Sequence, residues 1–343
     1  MEVTYFTFII IPFMLLWIGN PGRLLELTAA SCVFEAAAAF IIGGFGMQPS
    51  LLPAFGFMAY VALQVLLGAR YPGQGDVWRI CWPFTLVAFY ALAGSYFLPR
   101  LFEDQAWVWP QKSLPPFVLT PLAPSSASIN QDCYLIANAC LLLCASAYLT
   151  RTGLKLRRIL DAWFISGFLA AAVAVWQFAN RVAGLPFPTD LFYSNPGWAV
   201  LTAQGIGAIP RINGPFSEPA ALGGFMAACA CAAGWMLLNG SRERLVKSLL
   251  VVSLGTASLS TSTTGFVTLA AAATLAAGYA VVTRSRKLMD RLMKAAMPTV
   301  AAALLLGLAS AAFVPELIDD VTTVFEATLS KTDSSSYNDR TNT

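Results

Sequence analysis

The 343-residue sequence contains no histidine. That removes zinc sites built on imidazole and every mechanism with a histidine base, and leaves Glu, Asp, Lys, Tyr or Cys to move protons. Charge is scarce as well. Only 11% of residues are Asp, Glu, Lys or Arg, where a soluble domain carries about 25%. The net charge of +3 carries no signature of nucleic-acid binding. The seven cysteines (Cys32, Cys81, Cys133, Cys140, Cys144, Cys229 and Cys231) form no Cys-x-x-Cys pair. Most lie in apolar runs and read as small hydrophobes. The chain also lacks an internal repeat, a Walker loop and an Asp-x-Asp pair, so neither a cofactor nor a metal is indicated.

What the chain has is apolar length. Residues AVILMFWYC make up 57% of it, and runs of membrane-spanning length recur from end to end. The pattern predicts an all-α, polytopic transmembrane helix bundle of about ten spans. These fall near Val3–Ile18, Leu24–Phe45, Leu51–Ala69, Ile80–Leu98, Gln131–Thr150, Ile159–Asn180, Glu218–Leu238, Val246–Ser260, Thr263–Thr283 and Leu292–Val314. Residues 1–314 read as one transmembrane domain, and 315–343 as the start of an acidic outer loop. Met1-Glu2 offers no basic leader, so the first run reads as an uncleaved span.

Basic residues set the orientation. Arg151, Lys155, Arg157 and Arg158 form one cluster; Arg242, Arg244 and Lys247 a second; Arg284, Arg286, Lys287, Arg291 and Lys294 a third. Each is separated from the next by two spans, and the positive-inside rule puts all three in the cytoplasm. The loops 99–130 and 181–217, the turn Ser260–Thr264 and the segment after Val314 then face outward. Within loop 99–130, prolines with Trp107, Trp109 and Phe117 suit either an interfacial aromatic belt or a sugar path.

The stretch Pro210–Gly224, PRINGPFSEPAALGG, has two charges, Arg211 and Glu218, set just before a long apolar run. Pro219 suits the first turn of a helix, which puts Glu218 at its mouth. Free N–H groups and the dipole there attract anions and would reinforce Arg211, making a site for phosphate or diphosphate. The plainer reading is a helix cap with a surface ion pair. Gln177, Asn180 and Arg181 share one helix face and suggest a hydrated vestibule. The hydroxyl-rich string Ser258–Gly265 follows a short span; it either dips into the membrane, where its hydroxyls would bind phosphate oxygens, or makes a tight helical turn. Glu35 is expected in mid-span, a costly place for a carboxyl unless it is protonated, paired or hydrated.

Arg211, Gly214, Phe216, Ser217, Glu218 and Pro219, running into an apolar helix, resemble the periplasmic motif of the O-antigen ligase and O-antigen polymerase family. The resemblance implies a bacterial inner-membrane enzyme of cell-surface polysaccharide biosynthesis, active on its periplasmic face. Its partners would be a polyprenyl (undecaprenyl) diphosphate-linked glycan, an acceptor glycan or glycolipid, and the lipid bilayer. For that substrate class the residues offer Glu218 and Arg211 as catalytic: Arg211 would stabilise the departing diphosphate, and Glu218 would take the acceptor's proton or instead hold Arg211 in place. Arg211, Arg340, Ser217, Ser262, Thr264 and Arg181 are the candidate substrate-binding residues. Arg340 resembles the family's second arginine, after which the family's outer loop continues, so the chain reads as C-terminally truncated. A polytopic transporter or flippase for a lipid-linked or anionic substrate is the rival expectation, drawn from Glu35 and Gln64.

Overall fold

A computed structural model describes residues 1–108, 119–151, 153–201, 205–206 and 209–294. It is mostly helical, and five helices are long and apolar enough to cross a membrane. The chain folds as two compact units: residues 1–166 with 188–200, and residues 167–187 with the chain from Leu201 onward.

The first unit opens with strand β1 (Glu2–Val3) and the short helices α1 (Tyr5–Leu16) and α2 (Pro21–Ser31). Asn20 starts α2: its side chain accepts from the Arg23 N–H, and Pro21 takes the first helical position. The expected span Leu24–Phe45 is not one helix. After α2 stops at Ser31, the chain turns through Glu35 and enters a hairpin of β2 (Phe40–Ile42) and β3 (Phe45–Met47), with β1 on its edge. The cause is Gly43-Gly44. Both have positive φ, +57° and +84°, as a two-residue hairpin turn requires and β-branched or bulky residues resist.

The irregular backbone between α2 and the hairpin is bonded by the protein itself. Thr4 and Thr7 hydroxyls donate to the Ala39 carbonyl, and the Ser194 hydroxyl accepts from the Ala38 N–H. The Asn195 side chain donates to the Glu35 and Gly46 carbonyls and to the Tyr134 hydroxyl. Non-helical backbone is tolerated at membrane depth only where protein or water satisfies it in this way. Ser194 and Asn195 follow the single-turn helix α7 (Thr189–Phe192), whose Phe192 ring stacks on Phe34.

Three further helices complete the unit's framework: α3 (Leu51–Leu66), α4 (Gln74–Leu101) and α5 (Ser126–Leu149). Leu24, Leu25, Phe57, Val61, Tyr71 and Tyr148 form one of its cores. Gln64 donates to the Tyr60 hydroxyl one turn away on α3. Between α4 and α5, β4 (Trp107–Val108) pairs with β5 (Thr120–Pro121).

Helix α6 (Leu156–Ala183) carries the chain from the first unit into the second. There β6 (Gly205–Ile206) and β7 (Ile209–Pro210) pair ahead of α8 (Pro219–Leu238), α9 (Arg244–Leu259) and α10 (Thr263–Val282). The five membrane-length helices are α4, α5, α6, α8 and α10; α1 and α3 are shorter apolar helices. The expected tenth span, from Leu292, runs beyond the described residues.

Candidate functional site: two helix mouths beside Arg211

Helix α8 begins as its sequence requires. Pro219 holds the first helical position, and Glu218 is the N-cap residue in extended conformation, φ −144° and ψ 155°. Its side chain makes no capping hydrogen bond. The carboxyl is thereby not used to close the mouth of its own helix, in contrast to the plain capping role.

The loop in front of α8 is held from two directions. Gln177, on α6 and only 2% exposed, accepts at Oε1 from the backbone N–H groups of Asn213 and Gly214, at 3.0 and 2.8 Å. The Asn213 side chain in turn donates to the Leu201 and Ser217 carbonyls, and the Leu201 N–H donates to the same Ser217 carbonyl at 2.8 Å. Gly214, with φ +59°, packs where a Cβ would meet Ala174 and the Ala170 carbonyl. Gln177 therefore does not line a hydrated vestibule. Helical periodicity gave its direction along α6, and the facing loop supplied the backbone donors that bury it.

Arg211 is half-buried at the start of this loop. Burial pushes its guanidinium below the ordinary value, and the nearby Glu218 charge acts in the opposite sense. Arginine starts so high that it stays cationic. Its residual cost of burial makes an anion beside it more favourable than at an exposed arginine.

The mouth of α10 lies against the first turns of α8. Ser262 is the N-cap residue of α10, and α9 reaches it through a tight turn in which Thr261 has φ +47°. The string Ser258–Gly265 is thus a helical turn whose Ser260 and Ser262 are both buried. A Cβ on Gly223 would lie 2.7 Å from Ser262 Cβ and 2.8 Å from Ser260 Oγ. One on Gly265 would lie 3.0 Å from the Gly223 carbonyl oxygen. Only glycine at both positions permits this approach. Ser260 Oγ donates to the Ala257 carbonyl and accepts from the Ser262 N–H. Ser262 is 1% exposed, and its Oγ has no hydrogen-bond partner among the described residues. Thr264 is exposed, with its methyl near Gly224.

The structure therefore brings Ser217, Glu218, Ser262 and Thr264 to two adjoining helix N-termini, with Arg211 within electrostatic reach of Glu218. Arg181 is exposed in the last turn of α6, one turn beyond Gln177. Arg340 lies outside the described residues. Each helix mouth presents unbonded N–H groups and about half an elementary positive charge. The α8 mouth, with Arg211 within electrostatic reach of its Glu218 and the α10 mouth packed on the same helix, suits a multiply charged oxyanion. Gly223 and Gly265, which join the mouths, carried no sequence signal beyond a Gly-Gly pair and a glycine after hydroxyls. Comparison of the chain with protein-family models, with curated proteins and with solved structures gives no match.

Proposed function

We propose that the protein transfers a glycan from a polyprenyl diphosphate carrier to an acceptor hydroxyl at the outer face of a bacterial inner membrane, as a ligase or polymerase of cell-surface polysaccharide. The observation that carries this reading is the contact of Gly265 with Gly223, which joins the α10 mouth to α8, whose own mouth carries Glu218 within electrostatic reach of Arg211. In the proposed reaction the acceptor oxygen attacks the anomeric carbon while the bond from that carbon to the diphosphate oxygen breaks. Glu218 takes the hydroxyl proton. Charge collects on the departing polyprenyl diphosphate, where Arg211 and the helix N–H groups stabilise it without reorganising. Arg340 would add a second guanidinium from the outer segment.

The substrate class comes from the resemblance of the Arg211–Pro219 motif, and the anion site from the geometry. Both agree with the orientation the basic clusters imply, since the start of α8 and the α9–α10 turn then face outward together. The rival transport reading drew on Glu35 and Gln64 in mid-span; Glu35 lies in a turn after α2, and Gln64 stays on α3, donating to the Tyr60 hydroxyl.

The test is Arg211→Lys, with transfer measured from a polyprenyl diphosphate donor and abundance checked by blot. Lysine keeps the charge and loses the planar fork that grips two phosphate oxygens. A fall of about a hundredfold or more at normal abundance is expected, the usual scale for one lost charge-stabilising donor. Near-normal transfer would reduce Arg211 and Glu218 to a surface ion pair, which tolerates the exchange.

A further inference from the structure

The first unit contains a cavity of about 450 Å³ that the diphosphate chemistry does not use. Its volume lies within the range of about 300–1,000 Å³ typical of small-molecule sites. It opens among the end of α2, the start of α3, one face of α5 and the segment carrying Trp198. Positive-inside orientation puts these ends on the outer side, where a glycan would be handled.

Its lining mixes amides, hydroxyls and one carboxyl with aliphatic and aromatic side chains. Gln131, Tyr134 and Asn138 recur at three- and four-residue spacing, so α5 turns two amides and an aromatic ring toward it, with Leu135 and Leu141 beside them. Gln48 and Glu35 line the opposite part. Trp198 completes the wall, its ring centroid 6.2 Å from that of Tyr134, and the Phe45 ring centroid lies 4.8 Å from the Tyr134 ring. Among the described residues no Lys or Arg lines the cavity. A diphosphate would meet one carboxyl there and no cation.

Two features call for a ligand with many hydroxyls. Trp198 lends the cavity an aromatic wall next to the ring of Tyr134. Asn138 stands exposed in the middle of α5, a membrane-length helix, where a bare amide in lipid is unfavourable. A pyranose suits both the ring and the amide. Its apolar C–H face lies against aromatic rings, and its vicinal hydroxyls donate to and accept from amides and a carboxyl at once.

We infer that this cavity is a binding subsite for an uncharged sugar ring, built from the Tyr134–Trp198 aromatic wall and the Gln48, Gln131, Asn138 and Glu35 polar groups. Its role as the place where an acceptor or chain sugar is held rests on the glycan-transfer reading; the sugar binding itself does not.

Saturation-transfer NMR on the full chain in lipid nanodiscs tests it, with N-acetylglucosamine and glucose as probes and inorganic diphosphate as the anionic comparison. Saturation transfer from protein to at least one sugar is expected, weakened about tenfold or more by Trp198→Leu, which removes the aromatic wall. Asn138→Leu, at an exposed position, repeats the test with no buried packing disturbed. Arg211→Lys should leave sugar binding unchanged. Absence of transfer to both sugars in the wild-type chain, or transfer that neither cavity variant weakens, overturns the subsite. Loss of glycan transfer in Arg211→Lys with sugar binding intact keeps the two readings apart, because failure of one leaves the other measurable.

Discussion

Gly265 rests against the backbone of Gly223, with room for no side chain on either: a Cβ on Gly265 would come within 3.0 Å of the Gly223 carbonyl oxygen, and one on Gly223 within 2.7 Å of Ser262. Small residues let helix backbones approach in this way where apolar burial supplies no driving force between helices. Here the approach occurs at the first turns, so it sets the spacing of two dipoles as well as two surfaces.

Gly265→Ala is therefore expected to force α10 away from α8. The neighbour is backbone and cannot rotate aside, so the change should cost about 1–3 kcal/mol, the scale of overpacking, and weaken binding of inorganic diphosphate. Gly278→Ala, on the same helix with nothing within 4 Å of the added carbon, is the control, and helix propensity alone predicts a gain of up to about 1 kcal/mol. Calorimetric binding and thermal unfolding read both. Equal diphosphate affinity in the two variants would count against the paired mouths as the anion site.

Gln177→Leu keeps the volume of the side chain and removes the acceptor that serves Asn213 and Gly214. Two buried N–H groups are left without it, each at a cost of about 1–3 kcal/mol. The loop should loosen first. Limited trypsin digestion is expected to cut at Arg211 several-fold faster than in the wild type, while sites in the first unit keep their rate. An unchanged rate at Arg211 would mean that the loop is held by something other than Gln177.

Asn195→Ala removes donors to the Glu35 and Gly46 carbonyls and the acceptor for the Gly197 N–H. The unfolding temperature of the protein in detergent should fall by several degrees, the consequence of unsatisfied buried groups. Asn195→Asp, which keeps an acceptor for Gly197 but loses the amide donors, should recover only part of the loss. Full recovery would show that the bond to Gly197 matters and the two carbonyls do not.

Membrane orientation gives a fourth test. With native cysteines replaced, Ser241→Cys should be protected from an impermeant thiol reagent in intact spheroplasts, and Ala123→Cys should be labelled. Ser241 follows α8 beside the second basic cluster, and Ala123 sits in the loop before α5, which the positive-inside rule would put outward. The reverse pattern would put the mouths of α8 and α10 in the cytoplasm, where no glycan acceptor of the proposed kind is met.

The start of α8 was legible in the sequence because Pro219 and the apolar run after it are both local signals. α4, α5, α6 and α10 were legible for the same reason: each is one uninterrupted run with polar ends. Leu24–Phe45 was misread, since its hydropathy and length match a span while Gly43-Gly44 and three β-strand residues on either side choose a hairpin. A mean over the run cannot register a turn inside it. Gln177 was placed on the correct helix and given the wrong surroundings, because spacing tells which way a side chain points and not what meets it. The pairing of Gly223 with Gly265 depends wholly on tertiary approach, and no window of sequence contains both.

The backbone around Glu35, Ala38 and Gly46 leaves the ribosome early, yet the side chains that bond it, on Ser194 and Asn195, lie 149 to 160 residues later. At a synthesis rate of about 5–20 residues per second, those carbonyls and amides wait roughly eight to thirty seconds for their partners. During that interval the hairpin has its strand pairing but not its clamp, and the intervening helices α3 to α6 must be threaded before the clamp can close. Completion of the first unit is therefore timed by the emergence of a segment that follows the first part of the second, and a ribosome paused anywhere between α3 and Asn195 would hold the protein's N-terminal third in an unfinished state.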